Sequence, residues 1–597
     1  MSEFQSPNQG PGMERQLLLV FALTFVILIV FQPLLMKYVK KQEPAPAPVA
    51  ASPAPAASAA AATPALPLAV VPAGAKQAAS EAEVVIENDL YRITFSNKGA
   101  QVKSWILKNF TDDKGQPLEL VSSGAQIAVQ RDGQVVFQPA VEKYGYPMSL
   151  WTYDEGLRSK LNSVLYVSSA NGVLKTPANL TFEYSDGDIV VHKSFRFDES
   201  YLVHVETEVV SHGQYMQAYP AWPAGFGDQI TPPSYAAARV SYQFADKVTR
   251  LEPKKVSGGS TLRGPFNWAG TADQYFGAIF LPDKPDDAVM VELNSAAVIS
   301  KNFDKADMKE TLPVSVLGAA VGNASGPTQG RWFVGPKAVD VIDNIRSTPA
   351  AGQGIGPNLS GLIDFGFFGW VGKPLFLALK WTHQHVAPNW GWSIVLLTVI
   401  INAALLPLRI TSMKSALKMQ KVQPLINDIK KKYEKIPMRD PRKQEMNAEI
   451  GTLFKEHGVN PAGGCLPMII QLPFLWAFYT MLTAAIELRH APWLWIRDLS
   501  SPDPYHVLPV LIIASTWGMQ KMTPTPGMDP AQAKMMNLMM PVMLGIFSWA
   551  VAAGLGVYWL VGTVIAVVTQ QALNRTSLGQ EMRAIAEKRA RRKAMRS

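Results

Sequence analysis

The sequence predicts a multi-domain membrane protein with one N-terminal span, an exported β-sandwich, and a helical core of five further spans that carries a cytoplasmic helical hairpin. The first observation is the run Trp390–Leu408, which holds no charged residue and is about as long as the ~30 Å apolar core of a bilayer requires. The second is an alternation of apolar and polar residues between residues 81 and 350, a pattern typical of half-buried strands. The third is the charge, because most of the formal net charge of +9 follows Leu408.

The N-terminal region, residues 1–42, combines a polar leader with the apolar run Leu17–Leu35, which is long enough to span a bilayer. No small-residue cleavage site follows this run, so we expect an uncleaved anchor. Residues 43–80 consist mostly of Pro, Ala, Ser and Val, and such a segment cannot bury a core. We therefore expect an extended linker between the anchor and the next domain.

Residues 81–350 alternate in polarity with a period of two, as Tyr91, Ile93 and Phe95 illustrate. Many short alternating stretches separated by Asn-Lys-Gly or Asp-Lys-Gly turn signals predict a β-sandwich. The region contains no nucleophile-elbow, zinc-protease or Walker motif, so we expect a non-catalytic domain. The single cysteine of the chain excludes an intrachain disulfide.

The segment 361–386 predicts an amphipathic helix. Its two lysines, Lys373 and Lys380, are seven positions apart and share one face. The apolar residues of the opposite face are Phe368, Val371, Leu375 and Leu379. Such a helix either lies along the membrane surface or packs on the β-sandwich, and the sequence leaves both arrangements open.

The span predicted over 390–408 carries a polar seam. Asn402 lies near its middle, Thr398 lies one turn earlier, and Arg409 follows seven positions after Asn402, so all three share a helix face. Pro407 is expected to end or kink the helix. Because an unpaired polar group is costly in lipid, the seam indicates either hydrogen bonds between helices or a wet cavity.

Residues 409–459 predict two antiparallel helices, because two apolar stripes with helical spacing flank the helix-start signal Asp440-Pro441. Pro424 is expected to interrupt the first helix, and Gly458 to cap the second. The segment has 12 Lys and Arg against 6 Asp and Glu, a net charge of +6 that marks the cytoplasmic side of a membrane. The basic stripe on the first helix consists of Lys414, Lys418 and Lys421.

Residues 461–573 contain four further apolar runs, each of which we expect to be a span. The runs are Ala462–Ile486, Val507–Gln520, Asn537–Val551 and Leu555–Thr569. The tail, residues 574–597, has 8 basic residues against 2 acidic ones, a net charge of +6, and is therefore expected to be cytoplasmic.

With the tail in the cytoplasm, six spans place the N-terminus in the cytoplasm as well and the β-sandwich on the opposite side of the membrane. Three lysines directly after the first span oppose this orientation, but the charge rule is statistical.

None of these spans carries an Asp, Glu, Lys or Arg near its centre, whereas ion-coupled transporters usually need such groups. The spans do carry polar, uncharged residues, namely Thr398, Asn402, Gln471, Ser515, Thr516, Gln520, Asn537 and Thr563. Taken singly, each is compatible with a hydrogen bond between helices. Taken together, they indicate a wet cavity inside the membrane.

Three stretches carry a family resemblance: Asn460–Phe474 (NPAGGCLPMIIQLPF), Glu487–Tyr505 (ELRHAPWLWIRDLSSPDPY) and Lys418–Pro424 (KMQKVQP). With these stretches and its order of segments, the chain resembles the YidC/Oxa/Alb family of membrane protein insertases in its Gram-negative form, over nearly its whole length. The resemblance implies a periplasmic β-supersandwich, a membrane-surface helix and a five-span insertase core. It implies neither enzymatic activity nor a cofactor, and we expect no metal site.

The resemblance also implies a hydrophilic groove that is open to the cytosol and to lipid. Hydrophilic segments of a substrate would enter this groove briefly, while its apolar segments leave along a slide formed by the third and fifth spans. The expected groove residues are Thr398, Asn402, Arg409, Gln471, Thr516 and Gln520. The expected slide residues are Cys465, Pro467, Pro473, Met540 and Phe547. The family usually has an arginine or lysine where this chain has Asn402, so we expect Arg409 to supply the positive field instead.

The partners implied by the resemblance are nascent membrane proteins, membrane lipids and the Sec translocon, in the bacterial inner membrane. The ribosome is a further expected partner, because contacts of Lys and Arg with phosphate dominate affinity for RNA. The basic residues expected to make this contact are Lys414, Lys418, Lys421, Arg589, Arg591, Arg592 and Lys593. Two other functions stay open from the residues alone: a membrane-anchored scaffold whose β-sandwich binds a ligand, and a transporter.

Overall fold

The structure, a computed structural model, describes residues 50–51 and 74–585, with gaps at 132–133, 246, 303–306, 349–354, 434–435, 437–439, 441, 460–465, 523–529, 578 and 582–583. The predicted anchor, most of the linker and residues 586–597 lie outside the described residues. So do the predicted site residues Cys465, Arg589, Arg591, Arg592 and Lys593.

The described N-terminal half of the chain consists mainly of strands. They are β1 Ala50–Ala51, β2 Glu83–Glu87, β3 Tyr91–Ser96, β4 Gln101–Thr111, β5 Pro117–Glu119, β6 Gln126–Arg131, β7 Gln134–Pro139, β8 Ser149–Trp151, β9 Val167–Ser168, β10 Gly172–Lys175, β11 Ala178–Ser185, β12 Ile189–Phe197, β13 Leu202–Ser211, β14 Gln214–Tyr215, β15 Tyr219–Trp222, β16 Arg239–Phe244, β17 Lys247–Leu251, β18 Thr261–Arg263, β19 Trp268–Ala272, β20 Phe276–Pro282, β21 Ala288–Asn302, β22 Asp307–Asn323, β23 Thr328–Pro336, β24 Arg346–Thr348 and β25 Ile355–Asn358.

These strands form three large sheets and one small one. A ten-stranded sheet has the order β17-β16-β19-β20-β23-β13-β12-β11-β9, with β14 beside β13. An eight-stranded sheet has the order β1-β18-β21-β22-β15-β8, with the hairpin β6-β7 joined to β21. A five-stranded sheet has the order β10-β2-β3-β4-β5, and β24 pairs with β25. The alternating sequence pattern therefore correctly predicted a β-sandwich domain.

The core of the β-domain lies between the sheets and is rich in aromatic residues. Tyr91, Ile93 and Phe95 of β3 are buried as their alternation predicted, and the ring of Phe95 lies 4.9 Å from that of Phe195 on β12. The four fully buried tryptophans are Trp105, Trp222, Trp268 and Trp332. Side chains of this size remove large apolar areas from water, which is the main term that stabilises the domain.

Lys193 lies on the inward face of β12, in register with the apolar residues around it, and is completely buried. Its Nζ donates hydrogen bonds to the backbone carbonyls of Gly99, Ala100 and Met148 at 3.1, 2.7 and 2.7 Å. Burial lowers the pKa of this amine to about 7. The lysine thus ties the five-stranded sheet to the loop before β8 from inside the core.

The α-helices of the described residues divide into four short ones within the β-domain and eight in the core that follows it. The first four are α1 Ala140–Tyr144, α2 Glu155–Ser163, α3 Pro232–Ala237 and α4 Val339–Ile342. The others are α5 Gly369–His385, α6 Trp390–Ala404, α7 Leu406–Lys432, α8 Arg442–Glu456, α9 Leu466–Ala484, α10 Val507–Met522, α11 Pro530–Ser548 and α12 Ala553–Arg575.

The span predicted over 390–408 ends four residues early, at Ala404. Pro407 has no N–H to donate to the carbonyl of Ala403, which instead accepts from the N–H of Leu405. A new helix, α7, begins at Leu406, and the two helices are bent by 47°. Pro407 therefore breaks the helix, as predicted, but the following helix already starts inside the predicted span.

The prediction that Pro424 interrupts the first hairpin helix is wrong, because α7 continues through it to Lys432. Val422 and Ile426 on either side of Pro424 are buried, and this packing holds the helix together where one hydrogen bond is missing. The second hairpin helix begins as predicted. Asp440 accepts a hydrogen bond from the N–H of Arg442 at 3.0 Å, and Gly458, predicted as the cap, adopts a positive φ of 56°.

The amphipathic helix α5 makes contacts that suit both predicted arrangements. Its lysines Lys373 and Lys380 face the β-domain, where they pair with Asp343 and Asp340 near α4. Its buried apolar residues pack against α6 and α9. A third face is exposed and apolar, and consists of Trp370, Leu377 and Trp381. Amphipathic helices that lie in a membrane interface bury a face of this kind.

Among the described residues, one helix alone, Ala553–Arg575, is long and apolar enough to cross a membrane by itself. The bent pair α6 and α7 also qualifies when taken as one span. Helices α9, α10 and α11 coincide with three predicted runs but are 19, 16 and 19 residues long. Helix α11 begins at Pro530, seven residues before the run predicted there.

The β-domain is docked on the core through the loop that joins α9 to α10. Arg489 donates to the carbonyl of Thr111 at 2.9 Å, and its guanidinium lies 5.8 Å from the ring of Tyr275. His490 contacts Asp113 at 3.1 Å. Polar contacts of this loop thus add to the apolar cluster that the core and the β-domain share.

Candidate functional site

The predicted polar seam is intact on α6. Asn389 caps this helix by accepting a hydrogen bond from the N–H of Trp392 at 3.2 Å. Two turns further on, the Thr398 hydroxyl donates to the carbonyl of Ile394 at 2.6 Å. Asn402 donates through Nδ2 to the carbonyl of Thr398 at 2.8 Å. Both seam residues therefore donate a hydrogen bond within their own helix, and the amide oxygen of Asn402 stays available for another group.

That other group is Arg409. Its Nη2 donates a hydrogen bond to Oδ1 of Asn402 at 2.9 Å. The guanidinium is half-buried and is carried by α7, on the far side of the break at Leu405. An arginine stays charged at any pH a cell meets, so this contact holds a permanent positive charge beside Asn402. The two residues that the sequence placed seven apart on one face are in direct contact.

Helix α12 packs against α6 and leaves room over the seam. Gly562 faces it, since a Cβ at this position would lie 3.8 Å from Nδ2 of Asn402 and 3.9 Å from Cγ2 of Thr398. One turn earlier on the same helix, the ring of Tyr558 stacks on Phe478 of α9 at 4.2 Å. Neither residue was singled out from the sequence, because a lone glycine or tyrosine in an apolar helix carries no specific signal.

Three other predicted groove residues are not joined to Asn402 by any contact in the described part of the chain. Thr516 and Gln520 lie one turn apart on α10, which contacts α11 and α12. Thr516 is buried, and neither its hydroxyl nor Oε1 of Gln520 has a partner within the described residues. Gln471 lies on α9 with an exposed side chain. The Thr516 hydroxyl and Oε1 of Gln520 are hydrogen-bonded only if water reaches them.

The predicted slide residues that the structure describes lie on α9 and α11. Pro473 is inside α9 and half-buried, whereas the Pro467 side chain lies outside the described residues. Met540 is half-buried and Phe547 is exposed, with its ring 6.3 Å from that of Trp559. Further exposed apolar residues of α11 are Leu538, Met539, Val542 and Ile546. The outer surface of α11 is therefore apolar, as a surface in contact with lipid must be.

The predicted basic residues Lys414, Lys418 and Lys421 share one exposed side of α7. Lys421 pairs with Glu581, 2.6 Å away in the segment that follows α12. Met413 and Leu417 form a small apolar cluster with Leu573, near the end of α12, and with Ile585 of the segment that follows it. The first hairpin helix is thus attached to the C-terminal segment by an ion pair and an apolar contact.

The loop that joins α9 to α10 contains structural residues that the sequence patterns did not reveal. Asp503 is buried, where one carboxylate oxygen caps α10 by accepting from the N–H of Leu508 at 2.7 Å. The other accepts from Nε1 of Trp495 at 3.2 Å. The Asp-Pro pair that precedes α10 in the sequence is the signal that could have identified this cap.

The histidines of α5 take part in aromatic stacking. His383 stacks on Trp390 at 3.9 Å, and His385 on Trp381 at 5.3 Å. Within the described part of the chain, no three His, Cys, Asp or Glu side chains come together as metal ligands. The chemistry of the site is therefore that of one cation, several uncharged polar groups and an apolar surround.

Comparison with known proteins places the two halves of the chain in one family. Residues 381–580 match the family described as the 60Kd inner membrane protein, and residues 83–378 match the family described as the YidC periplasmic domain. A membrane protein insertase YidC from Syntrophus aciditrophicus is 31% identical, over 94% of this chain and 100% of that protein. The insertase YidC of Geotalea daltonii is 30% identical, over 94% of this chain and 99% of its own length.

Solved structures give a weaker likeness. A crystal structure of an active YidC insertase with its first transmembrane domain resolved covers 85% of this chain and 94% of its own, with 17% identity and a TM-score of 0.33. A putative aldose 1-epimerase from Escherichia coli covers 43% of this chain with 9% identity and a TM-score of 0.21. Both TM-scores are too low to carry an argument. The assignment follows from the relatives that match over nearly the full length of the chain. The chain belongs to the YidC family of membrane protein insertases, and it is an insertase, not an enzyme.

Proposed function

We propose that this insertase accepts the hydrophilic segments of its substrates in a wet groove next to α6, and that Arg409 supplies the positive charge of that groove. The observation that carries the proposal is the 2.9 Å hydrogen bond from Arg409 to Asn402. This bond holds the permanent cation of Arg409 beside Asn402, the uncharged residue at the position where the family resemblance implies an arginine or lysine. The groove would admit water to Thr516 and Gln520, whose polar atoms lack partners among the described residues.

A cation in such a groove is screened poorly, because much of its surroundings is apolar. Two unit charges 4 Å apart interact by about 4 kcal/mol at an effective dielectric constant of 20, against about 1 kcal/mol in water. The groove would therefore attract an acidic segment of an arriving chain. It would also shorten the apolar path that this segment has to cross.

The proposed topology has six spans, with the β-domain in the periplasm and both termini in the cytoplasm of a bacterial cell. The support is the net charge of +6 in both the hairpin segment and the tail. The exposed apolar residues Trp370, Leu377 and Trp381 of α5 fit a helix in the outer interface of the membrane. We further propose that substrates leave along the apolar surfaces of α9 and α11.

Nascent membrane proteins and lipids are the partners that an insertase requires. We propose the ribosome as a further partner, because Lys414 and Lys418 are exposed on α7 and the basic tail follows the segment that α7 contacts. Cooperation with the Sec translocon is proposed from the family resemblance alone.

Water access to Asn402 tests the groove. A Cys465→Ser variant has no cysteine, and Asn402→Cys or Val399→Cys then adds one on α6. Val399 is the control, because it is exposed on an apolar surface of the same helix. In inverted membrane vesicles, a membrane-impermeant maleimide is expected to label position 402 at least tenfold faster than position 399. Equal labelling of the two positions would contradict a groove open to the cytosol.

A further inference from the structure

Arg409, the proposed groove charge, belongs to α7, whereas Asn402 belongs to α6. Helix α6 ends at Ala404 and α7 begins at Leu406, so Leu405 is the connection between them. The N–H of Arg409 bonds to the carbonyl of Leu405 at 3.2 Å, within the first turn of α7. A rotation at Leu405 would therefore carry Arg409 with α7 and leave Asn402 in place.

The contact between the two helices tolerates little movement. Arg409 lies four residues from Leu405, which is about 6 Å along a helix. A rotation of about 10° would displace its backbone by about 1 Å, and the 2.9 Å hydrogen bond would lengthen to about 3.9 Å where the side chain moves with the backbone. Within the described residues, the bond to Asn402 is the single hydrogen bond that the guanidinium makes.

Helix α7 is also a long lever. Its 27 residues extend about 40 Å. The same rotation of about 10° corresponds to a displacement of about 7 Å at its far end, where it joins α8. A modest movement of the hairpin is thus sufficient to disconnect Arg409 from Asn402.

Helix α7 contacts α8 and α9, and it is also held by the end of α12 and the segment that follows it. The ion pair of Lys421 with Glu581 measures 2.6 Å, and the cluster of Met413 and Leu417 with Ile585 lies between that pair and the break. This segment leads directly into the basic tail. By contrast, α6 packs against α5 and α12 and has its own cap at Asn389, so its seam stays fixed.

From this arrangement we propose that Arg409 is a movable groove charge, whose approach to Asn402 is set by the contact of α7 with residues 573–585. The inference rests on the proposed function, since it assumes that the charge acts on substrates in the groove. It adds a control device: displacement of the C-terminal segment or of the hairpin withdraws the cation, and restoration of the contact returns it.

The test perturbs the contact without touching the groove. The double variant Glu581→Lys/Ile585→Asp removes both the ion pair and the apolar contact. Glu456→Lys is the matched control, because it makes the same charge change at an exposed position at the end of α8. A charge-swap protein, Asn402→Arg/Arg409→Asn, places the cation on the fixed helix α6 and serves as a second background.

The first readout is the position of α7. In a Cys465→Ser background, spin labels at Val399→Cys and Leu425→Cys, both exposed in the structure, report the distance between α6 and α7 in liposomes of phosphatidylethanolamine and phosphatidylglycerol. The double variant is expected to shift or broaden this distance distribution, and Glu456→Lys to leave it unchanged. An unchanged distribution in the double variant would overturn the proposal.

The second readout is insertion of two single-span substrates whose translocated tails carry glutamates or glutamines at the same positions. In the natural background, the double variant is expected to lower insertion of the glutamate substrate at least threefold and to spare the glutamine substrate. In the charge-swap background, it is expected to lower neither. An equal loss in both backgrounds would overturn the proposal. If Arg409→Ala lowers insertion of the glutamate and glutamine substrates equally, the proposed function of Arg409 as the groove charge is contradicted. This conclusion does not depend on the spin-label distances.

Discussion

Arg409 and Asn402 are joined by a hydrogen bond of 2.9 Å that crosses the break between two helices. The amide of Asn402 makes this possible because its nitrogen is already bound to the carbonyl of Thr398, which leaves its oxygen to face the guanidinium. A hydrogen bond to a charged group contributes about 1.5–3 kcal/mol. Asn402, the uncharged residue at the expected depth of the groove, therefore accepts a hydrogen bond from the cation of the next helix, Arg409.

Asn402→Leu is expected to reduce insertion of acidic and neutral substrates alike. The leucine removes the acceptor of Arg409 and replaces a polar amide by an apolar side chain, so the proposed groove is expected to lose water and charge at this depth. The charge-swap protein Asn402→Arg/Arg409→Asn keeps one cation and one amide, and is expected to retain at least half of the natural insertion rate. Insertion into liposomes measures both. Full activity of Asn402→Leu would show that this position is merely structural.

The topology is expected to place Ser257 and Ser415 on opposite sides of the membrane. Ser257 lies in an exposed loop of the β-domain and Ser415 on α7, within the basic hairpin. In intact cells, an impermeant thiol reagent is expected to label Ser257→Cys, whereas Ser415→Cys becomes labelled after the inner membrane is opened. Both variants carry Cys465→Ser. Labelling of both positions from the same side would contradict the six-span arrangement.

Arg489→Ala is expected to loosen the docking of the β-domain on the core. The substitution removes the 2.9 Å bond to the carbonyl of Thr111 and the contact of the guanidinium with the ring of Tyr275. Hydrogen exchange in the turn after β4, around Asp113, is expected to rise at least tenfold. Arg497→Ala is the control, because Arg497 is an exposed arginine of the same loop. Similar exchange in both variants would mean that Arg489 does not hold the β-domain.

The stability of the β-domain is expected to rise with pH above neutrality because of Lys193. Burial lowers the pKa of this amine in the folded state to about 7 from a model-peptide value of 10.5, so the unfolded chain binds more protons between these two values. Unfolding free energy therefore increases with pH in this window, by about 2 kcal/mol from pH 7 to 9.

Urea denaturation at about pH 7 and pH 9 measures this change in unfolding free energy. The difference between the natural protein and Lys193→Met gives the part that is due to titration of Lys193. The methionine variant is expected to lose this part of the pH dependence. It is also expected to be less stable by about 1–3 kcal/mol at pH 9, since the two N–H groups of the neutral amine no longer donate to the surrounding carbonyls. An identical pH dependence in both proteins would exclude titration of Lys193 in this range.

The sequence alone predicted the parts of the fold that depend on local patterns. Asn402 and Arg409 meet across the break at Leu405, so one continuous helix does not explain their contact, whereas the alternation in β3 translates directly into burial because strand geometry fixes it. Pro407 was recognised as a break because proline has no N–H to donate within a helix. Pro424 was misread, because a proline inside a helix is tolerated when tertiary packing supports its neighbours, and the burial of Val422 and Ile426 is not visible locally.

Contacts between distant segments were beyond the reach of these patterns. Arg489 and His490 bind Thr111 and Asp113, which precede them by more than 370 residues. The attachment of α7 to the segment around Glu581 likewise depends on how α12 packs. The charges in both regions were noted from the sequence, but their partners are defined only by the tertiary structure.

The measurement that tests the groove charge most directly is insertion by the purified protein in liposomes, with the two substrates that differ only in glutamate or glutamine in the translocated tail. If Arg409 supplies the charge, Arg409→Ala lowers insertion of the glutamate substrate about tenfold and that of the glutamine substrate less than twofold. Arg409→Lys, which keeps the charge, stays close to the natural protein. Loss of both substrates to the same extent, or of neither, would contradict the proposal that Arg409 attracts acidic segments into the groove.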